Sequence, residues 1–403
     1  MIYEYELNLL SPAIVTRKVG RLGYKSYDDL IPGSVVRGGL LTALYERGYI
    51  DLKDLEEEVD NPSLSISSAY FSGDLEEPML FSNLCIAHAF SRVSKHSIGD
   101  YGQPIVSILS GYEKKAISDI SRYVEELEKR FSKLGMELSA KKKQTIFNPL
   151  EFKRCTGAIA VKIGDVWFRR NSAHEVSVNI GLHRGRRSVE SEMFFYYEAI
   201  SRDQSFRGFI VDSKGILDNV KEIRVGIGRG VSRGFGRATL KLRRISVEDL
   251  IKRLNLDNLD LDEGANMFFV CFTPYASFDP EGLLRGRILR DTLTLPTDWM
   301  KMHKEFNAEA RLKLIGSVGG YGRYGGYSLK TGYPKMVLRT LVSGSVIIYK
   351  VDHLDGDIHS IAELFASMLV LGVNELAAYG LSHLLPMSTD YISGPLSLEE
   401  VIK

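Results

Sequence analysis

The stretch Arg224-Val-Gly-Ile-Gly-Arg-Gly-Val-Ser-Arg-Gly-Phe-Gly-Arg-Ala-Thr-Leu-Lys-Leu242 decides how the rest of the chain reads. Gly226, Gly228, Gly230, Gly234 and Gly236 alternate with Arg229, Arg233 and Arg237, and the apolar–polar alternation that follows predicts a strand. Glycine permits positive φ and lets a ligand reach the main chain, so such a loop could offer several N–H groups to one anion. Guanidinium forks match phosphate oxygens and stack on bases, so arginines four residues apart fit a phosphate backbone better than an isolated carboxylate. Two familiar glycine motifs do not fit. A P-loop ends in Gly-Lys-Ser/Thr, absent here, and a dinucleotide fingerprint leads into a helix, whereas this run leads into β-type sequence. The competing reading of the same residues is a glycine-rich turn carrying solvated arginines.

Working outward, 403 residues with 44% hydrophobic and 26% charged content give a globular chain long enough for two domains with real cores. The formal net charge is only +1, so any polyanion site has to be a patch rather than the whole surface. Cys85, Cys155 and Cys271 are far apart and form no C-x-x-C pair; they read as free thiols in a reducing compartment, with neither disulfides nor zinc expected. Charges within the first seven residues exclude a secretory pattern, and no apolar run approaches a membrane span, so a cytoplasmic location is expected.

Residues 2–10 alternate with period two and form the first expected strand, ended by Ser11-Pro12. A polar loop with Arg17, Lys18, Arg21 and Lys25 leads to Ile31-Pro-Gly-Ser-Val-Val-Arg-Gly-Gly-Leu-Leu, where Ser34 is the expected cap of a helix carrying Leu40, Leu41 and Leu44. That places Arg37 in the first turn, either on a phosphate at the helix start or solvated on an amphipathic surface. Residues 51–110 mix acidic stretches and turn signals. Ile117, Ile120, Val124, Leu127, Phe131 and Leu134 then define a helix over 111–138 that reads as an insertion, followed by the run Lys141–Lys143, either solvated or reaching RNA.

Residues 157–163 and 166–169 read as a hairpin around Gly164-Asp165, and 175–180 continue the β pattern. The loop Gly181-Leu-His-Arg-Gly-Arg-Arg187 is basic, the tract 190–200 is aromatic, and Phe206-Arg-Gly-Phe-Ile-Val211 is a further strand. Residues 246–254 predict a short helix and 255–263 an acidic connection, so the expected organisation is a domain over 1–245, a linker over 246–265 and a second domain over 266–403. In that second half, 266–273 open a strand and 338–351 read as a hairpin or strand pair around Ser343-Gly344-Ser345. Residues 361–371 form an apolar helix, and Gly372 and Gly380 stand where a second, arginine-free glycine loop would fall. The segment 316–328, with Tyr321, Tyr324 and Tyr327 among glycines, reads either as stacking platforms for bases or as a loop packing on a partner.

Taken in order, three motifs resemble the RAMP superfamily, the ferredoxin-like RNA-binding proteins of CRISPR systems. They are the Ile31-Pro-Gly-Ser34 opening with Arg37-Gly38, the arginine loop before the aromatic 190–200 strand and its Phe-x-Gly successor, and the glycine loop Val225-Gly-Ile-Gly228 with Gly234-Phe-Gly236. The resemblance implies an α+β fold of two ferredoxin-like βαββαβ modules, RRM-like and in tandem, the first with a helical insertion around 111–143 and the second degenerate. It is similar to the type III-D group that holds the 5′ handle of crRNA and docks beside the large polymerase-like subunit and the backbone RAMP subunits. The RNA-binding residues it implies are Arg37, His183, Arg184, Arg186, Arg187, Gly226, Gly228, Arg229, Gly230, Arg233, Gly234, Gly236 and Arg237.

Catalytic chemistry is sparse in the sequence. There is no H-E-x-x-H and no close His/Cys/Asp cluster, so neither metal nor other cofactor is expected. His359 and His383 read as core histidines. His183, flanked by arginines, is the weak catalytic candidate, since a histidine could serve as general acid or base on a ribose 2′-OH. The processing nucleases of the resembled family carry their histidine near the first helix, and here none precedes His88. Asp28-Asp29 reads as a solvated turn. A structural RNA-binding subunit is therefore the leading expectation, with a RAMP endoribonuclease and an interaction module without its own RNA site as alternatives.

Overall fold

The computed structural model describes residues 1–403 except 21–22, 28, 74–78, 99–100, 108–123, 126, 135–137, 183–188, 257–261, 278–287, 326–336 and 387–403. The fold is α+β and strand-rich. It divides into two compact units, Met1–Glu76 with Asn171–Arg244, and Glu77–Arg170 with Ile245–Lys403. This differs from a simple cut into 1–245, linker and 266–403, because residues 77–170 leave the first unit altogether.

In the first unit, β1 (Ile2–Leu9) is followed by a small pair, β2 (Thr16–Gly20) and β3 (Gly23–Ser26), and by β4 (Leu30–Ile31). Helix α1 (Gly33–Glu46) and helix α2 (Leu52–Asp60) precede β5 (Leu64–Ile66) and β6 (Ala69–Phe71). The chain returns in β13 (His174–Leu182), β14 (Val189–Ile200), β15 (Ser205–Asp212), β16 (Glu222–Gly226) and β17 (Arg237–Ile245). One sheet has the order β16-β17-β1-β15-β6-β4, with β5 also on β15; the other runs β13-β14-β3-β2.

The strand β1 lies inside its sheet with one apolar face, on which Tyr3, Tyr5, Leu7 and Leu9 are buried; on the other face Glu4 is buried too. Glu4 is held by Arg243 at 2.6 Å, as a buried carboxylate must be. Tyr5 lies directly opposite Gly208 on β15, and a side chain at 208 would stand 2.5 Å from the Tyr5 ring. That is the physical content of the Phe-x-Gly motif: the glycine makes room for a cross-strand aromatic whose hydroxyl donates to the Ser67 carbonyl at 2.8 Å. Between β15 and β16, residues 213–221 form turns rather than a helix.

Helix α1 begins one residue before the expected cap. Pro32 occupies the N-cap and no side chain caps the helix, so Ser34 lies inside the first turn; proline's fixed φ suits a helix start. α1 seats Gly39 against the end of β16, where a methyl group would come 2.6 Å from the Gly226 carbonyl oxygen.

In the second unit, six strands form one sheet: β7 (Leu84–Ile86), β8 (Ser91–Ser94), β9 (Gln103–Ser107), β10 (Phe152–Arg154), β11 (Ile159–Ile163) and β12 (Val166–Arg170). β11 and β12 form the expected hairpin, with Ile163 opposite Val166. Residues 124–125 and 127–132 of the expected insertion helix are helical, and Val124, Leu127 and Phe131 pack on Ile98, Ile146 and Phe168; residues 108–123 lie outside the described ones. Lys141–Lys143 sit in the helix Ala140–Ile146.

The second sheet of this unit is built from β18 (Asn266–Cys271), β19 (Thr292–Leu295), β20 (Glu309–Val318), β23 (Val346–Asp355) and β24 (Leu384–Pro386), in the order β19-β20-β23-β18-β24. The helix Ile358–Val370 covers it, with Phe365 against Phe269. β21 (Tyr321–Tyr324) and β22 (Leu338–Leu341) form a separate two-stranded ribbon. The expected strand pair over 338–351 is therefore corrected: β22 and β23 belong to different sheets. Gly344 explains why the chain swerves there, since a Cβ on it would stand 2.3 Å from the Gly157 amide and 2.4 Å from the Ala87 carbonyl. These approaches, with the Phe81–Phe272 ring pair at 5.3 Å, are what bind 77–170 to the C-terminal part. The expected linker is likewise part of this unit, because Val247–Arg253 is a helix with a Ser246/Asp249 capping box.

Candidate nucleic-acid interface

The glycine loop joins β16 to β17, which pair antiparallel with Gly226 opposite Arg237. Between them Gly228, Gly230, Gly234 and Gly236 all take positive φ (75°, 74°, 93° and 64°), and Val231–Arg233 make one 3₁₀ turn. Two of these glycines are also fixed by close approach. A Cβ on Gly236 would lie 1.9 Å from the Ile227 carbonyl oxygen, and one on Gly228 2.3 Å from that of Ile14. The main chain of the loop is largely committed inside the fold. Ile227 N–H donates to Gly236, Arg229 to Ile14, Gly236 to Pro12 and Phe235 to Gly230, while Arg237 N–H reaches Ser11 Oγ. These bonds and the positive-φ glycines shape the loop, and Arg233 and Arg237 are exposed on it.

The clamp is the segment 12–15, read from sequence only as the stop after the first strand and the start of the loop that follows. Ile14 bridges to Arg229 on one side while Ala13 bridges to Ile200 on β14 on the other. The loop thereby comes to lie against β14. Arg233 Nη1 is 3.4 Å from Tyr197 Oη, and the Tyr197 and Phe235 rings meet edge to face at 6.1 Å. Arg233 and Arg237 are exposed, Arg229, Tyr196, Tyr197 and Phe235 half-buried. On the opposite face of β14 the Glu198 carboxylate lies 3.6 Å from Lys25 Nζ and 3.5 Å from His174 Nδ1, and His174 Nε2 is 3.0 Å from Ser172 Oγ. Arginines that supply charge and forks, next to half-buried aromatic rings, make a surface chemically suited to a phosphate backbone with splayed bases.

The structure brings Arg233 to a residue that sequence reasoning had not singled out, Tyr197, whose ring meets Phe235 of the same loop; Arg229 and Arg237 lie at other points of the loop. Arg37 is removed from the set. It is buried, with Nη2 3.1 Å from Glu58 Oε2 and donating to the Glu58 carbonyl at 2.5 Å, while Nη1 donates to the Leu64 carbonyl at 2.7 Å. The guanidinium ties α1 to the end of α2, and no phosphate can reach it. His183, Arg184, Arg186 and Arg187 fall between β13 and β14 but lie outside the described residues.

The other titratable candidates are structural. Asp29 accepts the Ser172 N–H at 3.2 Å, and Asp28 lies outside the described residues. His383 is buried as expected, with Nδ1 2.9 Å from the Leu369 carbonyl, and burial lowers its pKa to about 4; His359 is exposed instead. Burial, reinforced by Arg92, lowers His88 to about 3. All three cysteines are buried, and desolvation pushes the Cys155 thiol up to about 12. Among the described residues no group of three His, Cys, Asp or Glu side chains converges as a metal site, and no helix is long and apolar enough to cross a membrane.

A family model described as the RAMP superfamily matches residues 6–239, more than half of the chain. The chain belongs to the RAMP superfamily. A comparison with curated proteins returns no match. Among solved structures, a chain of the type III-B Cmr-beta complex bound to cognate target RNA is similar at 12% identity, with 86% of each chain covered and a TM-score of 0.40. Cmr4 from Pyrococcus furiosus, in a structure of its oligomer, is similar at 12% identity over 61% of this chain and 99% of its own, with a TM-score of 0.27. A chain of the Csm3–Csm4 subcomplex of the type III-A interference complex matches at 11% identity over 88% and 94%, with a TM-score of 0.32.

Proposed function

We propose that this RAMP protein is a structural RNA-binding subunit of a type III CRISPR effector ribonucleoprotein in the cytoplasm. It holds the 5′ handle of crRNA and docks beside the large polymerase-like subunit and the backbone RAMP subunits. The observation that carries the reading is the loop Ile227–Gly236, rigidly clamped by residues 12–15, presenting Arg233 beside Tyr197 and Phe235. A basic, aromatic and pre-shaped surface is what single-stranded RNA recognition requires. In this reading His183, Arg184, Arg186 and Arg187 grip neighbouring nucleotides, and Gly226, Gly228, Gly230, Gly234 and Gly236 set the loop's course.

Two tandem ferredoxin-like modules are part of the proposal. The order β17-β1-β15-β5 with α1 between β1 and β5, and the order β24-β18-β23-β20 with a helix between β23 and β24, both support it. The first module departs from the ideal where turns replace its second helix.

The test is fluorescence anisotropy with a repeat-derived RNA, comparing wild type with the Arg229→Ala/Arg233→Ala/Arg237→Ala variant. The variant is expected to bind more weakly, with the slope of log affinity against log salt shallower by about 0.7 for each phosphate no longer neutralised. Equal affinity and slope would make the loop a scaffold. A second reading is an endoribonuclease: His174 sits between Glu198 and Ser172, paired with Ile200 on the face of β14 opposite to that of Tyr197. Specific cleavage of the bound RNA, abolished by His174→Ala with binding retained, would establish it.

A further inference from the structure

The ribbon β21–β22 in the second unit has two unlike faces. Tyr324 and Leu338 point inward and pack with Ala276, Leu376 and Leu381, which fixes the ribbon on its unit. The alternate residues point out: Tyr321 is 65% exposed and Val337 59%, and Arg323 and Arg339 are exposed as well. The register sets Arg323 directly opposite Arg339. Like charges in that position repel, and among the described residues neither guanidinium has a carboxylate in an ion pair. The fold keeps these two cations side by side on an exposed face of the ribbon. The Arg339 guanidinium also lies 5.0 Å from the centre of the Tyr321 ring, which holds the ring in place while leaving most of it in solvent. Tyr321, Gly322, Arg323, Val337 and Arg339 line an open cleft of about 640 Å³.

We infer that this face of the ribbon is a second binding surface for single-stranded nucleic acid, independent in its residues of the glycine loop. A nucleotide joins a phosphate to a flat apolar base, and the face supplies a match for each: the Arg323/Arg339 pair for the phosphate and Tyr321 for the base. An acidic peptide would satisfy the arginines and leave the exposed ring unused. Duplex is disfavoured because its bases are not open to stacking. The inference rests on the proposed function for the choice of RNA over DNA as the natural ligand.

The experiment uses the full chain with labelled 30-nucleotide RNA, DNA of the same sequence, and duplex. Wild type is compared with Tyr321→Ala, with Arg323→Ala/Arg339→Ala and with the triple arginine loop variant, each checked for unchanged melting. Expected are a loss on the order of tenfold for Tyr321→Ala, and for the arginine pair a salt slope shallower by about 0.7 for each phosphate no longer neutralised. Preference for RNA over DNA names the natural strand, and equal weakening on both still supports the surface. If the loop variant loses affinity while both ribbon variants bind like wild type, the ribbon inference fails and the proposed function stands. If the ribbon variants lose affinity and the loop variant does not, the ribbon stands and the loop reading fails. A wild-type chain that binds neither strand, or ribbon variants that bind both strands like wild type, would overturn the inference.

Discussion

Two adjacent glycines in α1 should respond differently to the same substitution. Gly38 faces open space, with no heavy atom within 4 Å of a methyl group placed on it, whereas a methyl on Gly39 would lie 2.6 Å from the Gly226 carbonyl oxygen and 3.1 Å from Ile227 Cδ1. Both changes gain the same helix propensity, about 1 kcal/mol for alanine over glycine in a helix interior. The difference between the variants therefore isolates the packing of α1 on the glycine loop. Relieving a 2.6 Å approach to a backbone oxygen requires α1 and β16 to separate by about 1 Å, since unstrained approaches lie near 3.5 Å. Overpacking of this kind costs about 1–3 kcal/mol. Gly38→Ala is expected to stabilise by about 1 kcal/mol, and Gly39→Ala to be less stable than Gly38→Ala by about 1–3 kcal/mol. Urea unfolding followed by far-UV circular dichroism is the right assay, because both tryptophans, Trp167 and Trp299, lie in the other unit and fluorescence would miss the event. Equal shifts of the same sign would refute the close packing of helix on loop.

Arg37→Ala should destabilise by about 3–5 kcal/mol, because it strands the buried Glu58 carboxylate, and a variant that still folds should retain RNA affinity; native-like stability with abolished RNA binding would return Arg37 to the interface. Stability should fall as pH drops from about 6.5 towards 4. His88 and His383 are held neutral, with pKa values of about 3 and about 4, so the unfolded chain binds protons first and stability rises with pH across that window. The slope should be about 1.4 kcal/mol per pH unit for each histidine. A flat profile in denaturant titrations, or a slope undiminished in His383→Gln, would contradict the burial.

Much of the fold was legible because it rests on local pattern. The period-two run of β1, the 157–169 hairpin around Gly164-Asp165 and the apolar helix near 361–371 follow from spacing alone. What escaped was set by distance in sequence. Arg37 looks solvated on a helical projection, and only the return of Glu58 from α2 buries it. Residues 77–170 look like an insertion in the first half, yet Gly157 and Phe81 meet partners some 190 residues away, Ser343 and Phe272, through backbone and ring approaches that leave no periodic trace. The glycines of the loop were read as places for a ligand, but at Gly228 and Gly236 the space is taken by carbonyl oxygens of the protein itself. Tyr197 was legible as a strand residue only; its role comes from Ala13 and Ile14 drawing β14 and the loop to one clamp.

The most direct test of where RNA sits is ultraviolet crosslinking of the wild-type chain to a repeat-derived RNA, followed by mass spectrometry of the crosslinked peptides. Aromatic side chains stacked on bases crosslink readily, so RNA held at the loop is expected to mark Tyr197 and Phe235, with the signal absent in the Arg229→Ala/Arg233→Ala/Arg237→Ala variant. Crosslinks that avoid both aromatics, or that persist unchanged without the three arginines, would contradict RNA binding at the glycine loop.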